Sequence, residues 1–279
     1  MTLKILTNKQ IKKSKQDGFI FPVKIFDAAT AAKYQSIYEN VERRKGKDVP
    51  ELLSVKPHIL FRWLFELGTT PNLLDAMEDI LGPNLFLTTC AIWPKKANDP
   101  SFVTWHQDSA YFGYDPMDVW GAWIAITDSR ADNGCLKYLP GSHKNPEMEH
   151  EETFDKNNML SRGQRILDDF NPDAAIDVEL KPGECTIHHF RLAHSSEANF
   201  SDRRRIGILF VYCPPYVRPT NQLNSAILVR GEDKYGFWKK DPLPARDLDP
   251  INLKYYKNFW QNYVDPENIA EAKRLTNRQ

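Results

Sequence analysis

Trp105-His106-Gln107-Asp108 is the stretch from which the fold and the chemistry of this chain are inferred. Side chains on an extended strand alternate between its two faces, so His106 and Asp108 are expected to point the same way. One more imidazole, supplied by the fold, would complete the two histidines and one carboxylate that bind non-haem Fe(II) and leave other positions open. An isolated His-x-Asp is a weak signal, since in most proteins it is an ordinary surface pair.

Length and composition predict one globular domain with helical attachments. The chain has 279 residues, 41% hydrophobic and 12% aromatic, which is enough for one substantial core. Lys+Arg and Asp+Glu both number 37, so no net charge favours nucleic acid or an anionic membrane surface. The N-terminus lacks a secretory leader pattern, and no apolar run approaches the roughly 18 residues of a membrane span. We therefore expect a cytoplasmic protein of unknown oligomeric state.

Helical signals dominate residues 1–83. Capping and stop residues predict helices over about 8–16, 28–44 and 71–81, and Phe19-Ile20-Phe21 is predicted to be a strand that Pro22 ends.

After Gly82 the pattern changes to short apolar segments separated by turn residues, which predicts an antiparallel sandwich or barrel. Asn133-Gly134 is predicted to turn the strand 119–127 back into the strand 135–139 as a hairpin. A second hairpin is predicted to join 178–180 to 185–189 through Pro182-Gly183.

Two longer segments carry weaker signals. Residues 144–177 are polar and weakly periodic, which predicts a loop over a site. Residues 214–249 are predicted to be irregular, and a helical pair over 250–263 and 266–274 is predicted to end the chain.

Several motifs together resemble the phytanoyl-CoA dioxygenase family of Fe(II)- and 2-oxoglutarate-dependent enzymes. In order and spacing they are His106-Gln107-Asp108, Trp123, Asn133-Gly134-Cys135-Leu136, Leu139-Pro140-Gly141-Ser142-His143-Lys144, His194-Ser195-Ser196 and Arg205. The likeness covers most of residues 5–213. It implies a mainly β fold with flanking helices, a double-stranded β-helix (a jelly-roll or cupin-like barrel). We expect one domain over 1–279, with helices in about 1–83, the barrel in about 84–213 and a tail over about 214–279.

The resemblance also implies the site. His106, Asp108 and His194 would bind Fe(II), and 2-oxoglutarate and O2 would occupy the remaining positions. Residue chemistry alone leaves Arg203, Arg204 and Arg205 equivalent as partners for the far carboxylate of 2-oxoglutarate.

The family spacing selects Arg205, eleven residues after His194 (205 − 194). By the same resemblance Gln107, Trp123 and Ser196 would line the 2-oxoglutarate pocket. His143, His188 and His189 are expected to be structural or to support the ligands.

The reaction and substrate are less closely specified. Related halogenases replace the metal carboxylate by a small residue, so the presence of Asp108 favours hydroxylation of a C–H bond with release of succinate and CO2. Tyr111 and Arg162 are candidate contacts for a small polar or zwitterionic metabolite, such as an aminoalkylphosphonate or an amino acid. Equally, Arg162 could be an exposed loop residue and Tyr111 rim packing. The alternatives are an acyl-CoA hydroxylase and a non-catalytic barrel that serves as a binding module.

Overall fold

Two sheets that share one interior and are almost entirely antiparallel form the centre of the protein. The computed structural model describes residues 3–46, 49–110, 112–220 and 224–264. The helices are α1 (Asn8–Asp17), α2 (Ala28–Lys45), α3 (Val49–Ser54), α4 (Arg62–Gly68), α5 (Pro71–Leu81) and α6 (Pro250–Val264). The strands are β1 (Phe19–Lys24), β2 (Leu85–Lys95), β3 (Val103–His106), β4 (Tyr114–Asp115), β5 (Trp120–Ala125), β6 (Leu136–Tyr138), β7 (His150–Glu152), β8 (Gln164–Ile166), β9 (Ile176–Val178), β10 (Glu184–His189), β11 (His194–Ser196), β12 (Arg205–Cys213), β13 (Arg218–Pro219), β14 (Ser225–Arg230) and β15 (Lys239–Lys240).

The larger sheet has seven strands in the order β1-β10-β5-β12-β2-β14-β15, and the smaller has four in the order β3-β11-β6-β9. The prediction of a mainly β fold with flanking helices is confirmed. In the described parts of the chain, no helix is both long and apolar enough to cross a membrane.

Local capping chemistry explains the N-terminal helices. The Thr7 hydroxyl accepts a hydrogen bond from the backbone N–H of Gln10, whose side chain accepts one from the Thr7 N–H. Gly18 ends α1 with φ 87°, in the left-handed region that favours glycine. The three helices predicted over 8–16, 28–44 and 71–81 are confirmed, each to within one residue at its ends.

Strand β1 runs through Pro22, so the prediction that Pro22 ends it was wrong. β1 is the outermost strand of the large sheet and pairs only with β10 among the described strands, with a register shift between Ile20 and Val23. A proline is tolerated at such a position because its missing N–H interrupts pairing on one side at most.

Both predicted hairpins were wrong, because each turn carries the chain from one sheet to the other. β5 pairs with β10 and β12, whereas β6 pairs with β11 and β9. Likewise β9 belongs to the small sheet and β10 to the large one. Asn133 and Gly134 do form a turn, in which Gly134 has φ 76°. Local turn chemistry therefore located the reversal but not the partner strand.

Strand β12 separates the core from the barrel interior. Ile206, Ile208, Phe210 and Tyr212 pack in the main core with the helices, and the Tyr212 hydroxyl donates to the backbone O of Gly68 in α4 (2.6 Å). The alternate residues Arg205 and Leu209 line the interior. Burial on both faces explains why β12 is an almost continuous apolar run.

The C-terminal part is more regular than predicted. β14 extends the large sheet by pairing with β2, which corrects the expectation of irregular structure over 214–249. Helix α6 confirms the first predicted terminal helix, and the second, over 266–274, lies outside the described residues.

Lys56 and Asp241 form a fully buried ion pair (2.6 Å), and Tyr255 of α6 donates to the same carboxylate (2.8 Å).

Candidate metal centre

His106, Asp108 and His194 converge at one point in the barrel, with one potential ligand atom from each within 4.8 Å of the others. His106 ends β3 and His194 begins β11, and the two residues are paired across these strands. The Oδ1 atom of Asp108 lies 3.4 Å from Nε2 of His106 and 3.9 Å from Nε2 of His194. Of the described residues, this trio alone forms such a cluster.

Asp108 reaches this point by a different route from the one predicted. β3 ends at His106, and Asp108 opens a single 3₁₀ turn over Asp108–Ala110. Strand alternation therefore does not align the carboxylate with His106. The turn does, because it folds the chain back immediately after the strand.

Backbone carbonyls orient both imidazole rings. Nδ1 of His106 lies 2.9 Å from the O of Thr104, and Nδ1 of His194 lies 2.9 Å from the O of Leu192. Nδ1–H must be the donor in each pair because a carbonyl only accepts. The Nε2 lone pairs consequently face Asp108, the tautomer that metal-binding histidines adopt.

Electrostatics favour neutral imidazole beside an ionised carboxylate. Burial, together with the neighbouring His106, lowers the pKa of His194 to about 3. Burial tends to raise the pKa of Asp108, but His194, His106 and His188 hold it well below its usual range. The Oδ2 atom of Asp108 is buried and has no hydrogen-bond partner among the described residues. Two neutral nitrogens and one carboxylate oxygen fit a divalent ion such as Fe(II).

His188 lies beside the trio and supports it. Its Nε2 is 3.6 Å from Oδ2 of Asp108, and its Nδ1 is 3.0 Å from the hydroxyl of the buried Tyr138. His143 and His189 lie elsewhere, with their rings 5.4 Å apart. The sequence named His188 only as structural or supporting; alternation along β10, which turns His188 inward, would have singled it out.

One cavity contains the trio and most of the predicted cosubstrate residues. It is lined by Trp93, Val103, His106, Asp108, Trp123, Leu136, His188, His194, Ser196, Arg205 and Leu209. Arg205 is 1% exposed and its guanidinium lies over the Trp123 ring, 5.3 Å from the centroid. Burial lowers the pKa of Arg205 to about 10, so this side chain remains a cation at neutral pH.

Gly207 provides the space for Trp123, because a Cβ there would lie 1.7 Å from the indole.

The structure separates the three consecutive arginines. Arg203 forms an ion pair with Asp132 on the surface (2.6 Å), and Arg204 pairs with Glu42 of α2 (3.2 Å). Only Arg205 of the three lines the cavity.

Gln107 was predicted to line the pocket and does not. Its amide donates to the backbone O of Arg191 (2.7 Å) and accepts from the N–H of Met148 (2.7 Å). These two bonds hold the Gln107 side chain against the segments around Met148 and Arg191, outside the cavity lining.

The two predicted substrate contacts have different outcomes. Tyr111 lies outside the described residues. Arg162 forms an ion pair with Glu152 (2.9 Å) and is not part of the cavity lining.

The segment over 144–177, predicted to be a loop over a site, contains strands β7 and β8, which pair as a hairpin. It lies along β3: Thr104 donates to the O of Gln164, and the N–H of Gln107 donates to Nε2 of His150 (3.1 Å).

Comparisons with known proteins agree with this geometry. The family model for phytanoyl-CoA dioxygenase (PhyH) matches residues 14–207. A probable alpha-ketoglutarate-dependent hypophosphite dioxygenase from Stutzerimonas stutzeri is 31% identical over 180 residues, which is 61% of this chain and 60% of that protein. The peroxisomal phytanoyl-CoA dioxygenase of Bos taurus is 24% identical over 229 residues, 73% of this chain and 67% of that protein. The chain thus spans about three fifths to two thirds of the length of these relatives.

Among solved structures, a non-heme monooxygenase, ThoJ in its apo form, superposes with a TM-score of 0.82 at 30% identity. The match covers 95% of this chain and 99% of that one. The likeness confirms the predicted barrel architecture.

Proposed function

This chain belongs to the phytanoyl-CoA dioxygenase family, and from that premise we propose that it is an Fe(II)- and 2-oxoglutarate-dependent dioxygenase. It would hydroxylate a C–H bond of a small polar or zwitterionic metabolite and release succinate and CO2. The observation that carries the proposal is that His106, Asp108, His194 and Arg205 line one cavity.

When bound, Fe(II) would activate O2, which is the oxidant: one oxygen atom would enter the substrate as the new hydroxyl group, and the other would go to 2-oxoglutarate, which is oxidised and decarboxylated to succinate and CO2. The residues of the chain provide binding and orientation. His106, Asp108 and His194 would hold the metal, and the carbonyl bonds to each Nδ1 keep both rings in place. His188 would restrain the carboxylate of Asp108 at Oδ2, the oxygen other than the one that His106 and His194 approach most closely.

Arg205 would bind the far carboxylate of 2-oxoglutarate. A guanidinium can make two parallel charge-assisted hydrogen bonds to a carboxylate, and burial strengthens them. Trp123 packs against the guanidinium, while Val103 and Leu209 add apolar walls that exclude water.

Two observations support a small substrate. The Stutzerimonas relative is named for hypophosphite, a small oxyanion. Arg162 and Arg165, on the hairpin segment over β3, are each paired with a glutamate. A coenzyme A thioester would need cations that remain available for its phosphates. An aminoalkylphosphonate or an amino acid fits this description.

Hydroxylation of an acyl-CoA is the second candidate, because the match to bovine phytanoyl-CoA dioxygenase covers 73% of the chain. A non-catalytic barrel is disfavoured, since such a protein has no need to keep three ligands and the buried Arg205 together.

The test is a substrate screen scored by succinate release and O2 uptake in the presence of Fe(II) and 2-oxoglutarate. The panel holds small phosphonates and phosphinates, amino acids and acyl-CoA thioesters. We expect turnover with a member of the small polar group, a loss of about 100-fold or more in Asp108→Ala, and full activity in Asp132→Ala, which removes only a surface ion pair.

If acyl-CoA thioesters were the only substrates turned over, the protein would instead be an acyl-CoA hydroxylase, the second candidate. Succinate release by Asp108→Ala at the wild-type rate would refute the metal site.

A further inference from the structure

Two buried cations stand side by side at one end of the cavity. Lys95 of β2 is paired with Arg205 of β12, and cross-strand partners project from the same face of a sheet. Lys95 is 0% exposed and Arg205 is 1% exposed. Neither side chain forms an ion pair within the described parts of the chain. Asp99 attracts both cations, but only through longer-range electrostatics.

Lys95 is tied to the cavity wall through Ser196. Its ammonium donates to the Ser196 hydroxyl (2.7 Å), to the Ser196 backbone O (3.2 Å) and to the backbone O of Glu197. The Ser196 hydroxyl in turn donates to the backbone O of Gly134 (2.8 Å). The only proton of that hydroxyl is therefore committed, and its oxygen is held between Lys95 and Gly134.

The ammonium has little room to move away. A Cβ at Gly134 would lie 3.0 Å from Nζ of Lys95 and 2.3 Å from the O of Glu197. Burial, and then the charge of Arg205, lowers the pKa of Lys95 to about 7, which reflects the cost of holding two cations together without an anion. An anion that entered the cavity would relieve this cost and would favour the protonated, positively charged form of Lys95.

We propose that Lys95 is a specificity-determining positioning residue for the cosubstrate. Acting through Ser196, it supplies a second positive charge at the Arg205 end of the cavity, and so makes the cavity select a 2-oxo acid with two carboxylates over one with a single carboxylate. This inference rests on the proposed function, because it takes 2-oxoglutarate as the cosubstrate. Lys95 does not line the cavity, so its effect is on charge and on the placement of Ser196.

The test compares two ligands in two variants by isothermal titration calorimetry, with Mn(II) in place of Fe(II) so that no turnover occurs. The ligands are 2-oxoglutarate and 2-oxopentanoate, which has the same chain length but a methyl group instead of the far carboxylate. In Lys95→Met we expect 2-oxoglutarate to bind about tenfold more weakly, which is the size of the Coulomb attraction between unit charges roughly 10 Å apart at an effective dielectric constant of about 20. Binding of 2-oxopentanoate should change by less than about twofold, because it lacks the group that senses the charge.

The matched control is Lys96→Met, which alters an exposed neighbour and should change neither affinity. Thermal unfolding without ligands should show that Lys95→Met still folds cooperatively, because the relief of repulsion between adjacent like charges offsets part of the loss of its hydrogen bonds to Ser196 and Glu197. Lys95→Gln, which keeps a donor for Ser196 but no charge, should show the same selective loss.

Equal losses for both ligands would mean that Lys95 only supports the fold, and would overturn the inference. Unchanged affinity for 2-oxoglutarate would overturn it as well. A wild-type protein that bound neither ligand would instead refute the proposed function itself.

Discussion

Replacing Gly207 by alanine is expected to damage the cosubstrate end of the cavity without touching a ligand. The added Cβ would lie 1.7, 2.2 and 2.4 Å from three indole atoms of Trp123. Ordinary contact begins near 3.4 Å, so the ring would have to retreat by about 1.7 Å. Trp123 is 3% exposed, packs against the Arg205 guanidinium and lines the cavity, so the ring can retreat only against Arg205 or into the space meant for the cosubstrate.

Overpacking of this kind costs about 1–3 kcal/mol. The displaced ring should also move Arg205 off its position, and a misplacement of about 1 Å at a binding group can cost about 100-fold. We therefore expect Gly207→Ala to lower the free energy of unfolding by about 1–3 kcal/mol and to weaken 2-oxoglutarate binding by about 10- to 100-fold.

The assay is a double-mutant cycle with Trp123→Phe, measured by urea unfolding and by titration with 2-oxoglutarate. Phenylalanine lacks the indole atoms nearest to the added methyl group, so Gly207→Ala should cost at least about 1 kcal/mol less in that background. A loss of the same size in both backgrounds, or no loss in either, would show that the clash with Trp123 is not the cause.

Two further outcomes are expected. Arg205→Lys should weaken 2-oxoglutarate binding by about tenfold or more, because an ammonium cannot make two parallel bonds to one carboxylate. Arg204→Lys, which changes an ion pair with Glu42, is the control, and equal effects in the two titrations would contradict the assignment. His58 is 0% exposed and burial lowers its pKa to about 3, so the unfolded chain, with a pKa near 6.5, takes up the proton first. Stability present above pH 6.5 should be lost as pH falls towards 3, and between pH 7 and pH 5 His58 should account for about 2 kcal/mol of that loss. Urea unfolding at both pH values should show His58→Leu losing about 2 kcal/mol less than the wild type, and identical losses would count against this account.

Local sequence signals predicted the helices and most strands, but not the sheet pairings. The capping residue Thr7 and the stop at Gly18 act within a few residues, so the sequence alone predicted α1. The turn at Asn133-Gly134 was equally visible. Its flanking strands take partners from distant segments, and nothing in the turn itself specifies those partners.

The candidate site, too, could be predicted from the sequence only in part. The two histidines and Asp108 followed from the motif and the family resemblance, although the carboxylate reaches the site through a 3₁₀ turn rather than by strand alternation. Gln107 was misplaced because adjacency to ligands in sequence was taken for adjacency in space. Lys95 was missed: in sequence it is one of two consecutive lysines, and its role depends on Ser196, which lies 101 positions away.

Strand β1 also limits how far the protein could be shortened. A truncated chain starting near residue 84 would retain the three candidate ligands and Arg205. It would nevertheless leave β10 without its outer partner, exposing backbone groups that invite aggregation. His188, which approaches Asp108, belongs to β10. The N–H of the next residue, His189, donates to the carbonyl of Gly18 (2.8 Å). The smallest portion able to preserve an intact centre must therefore begin upstream of Phe19.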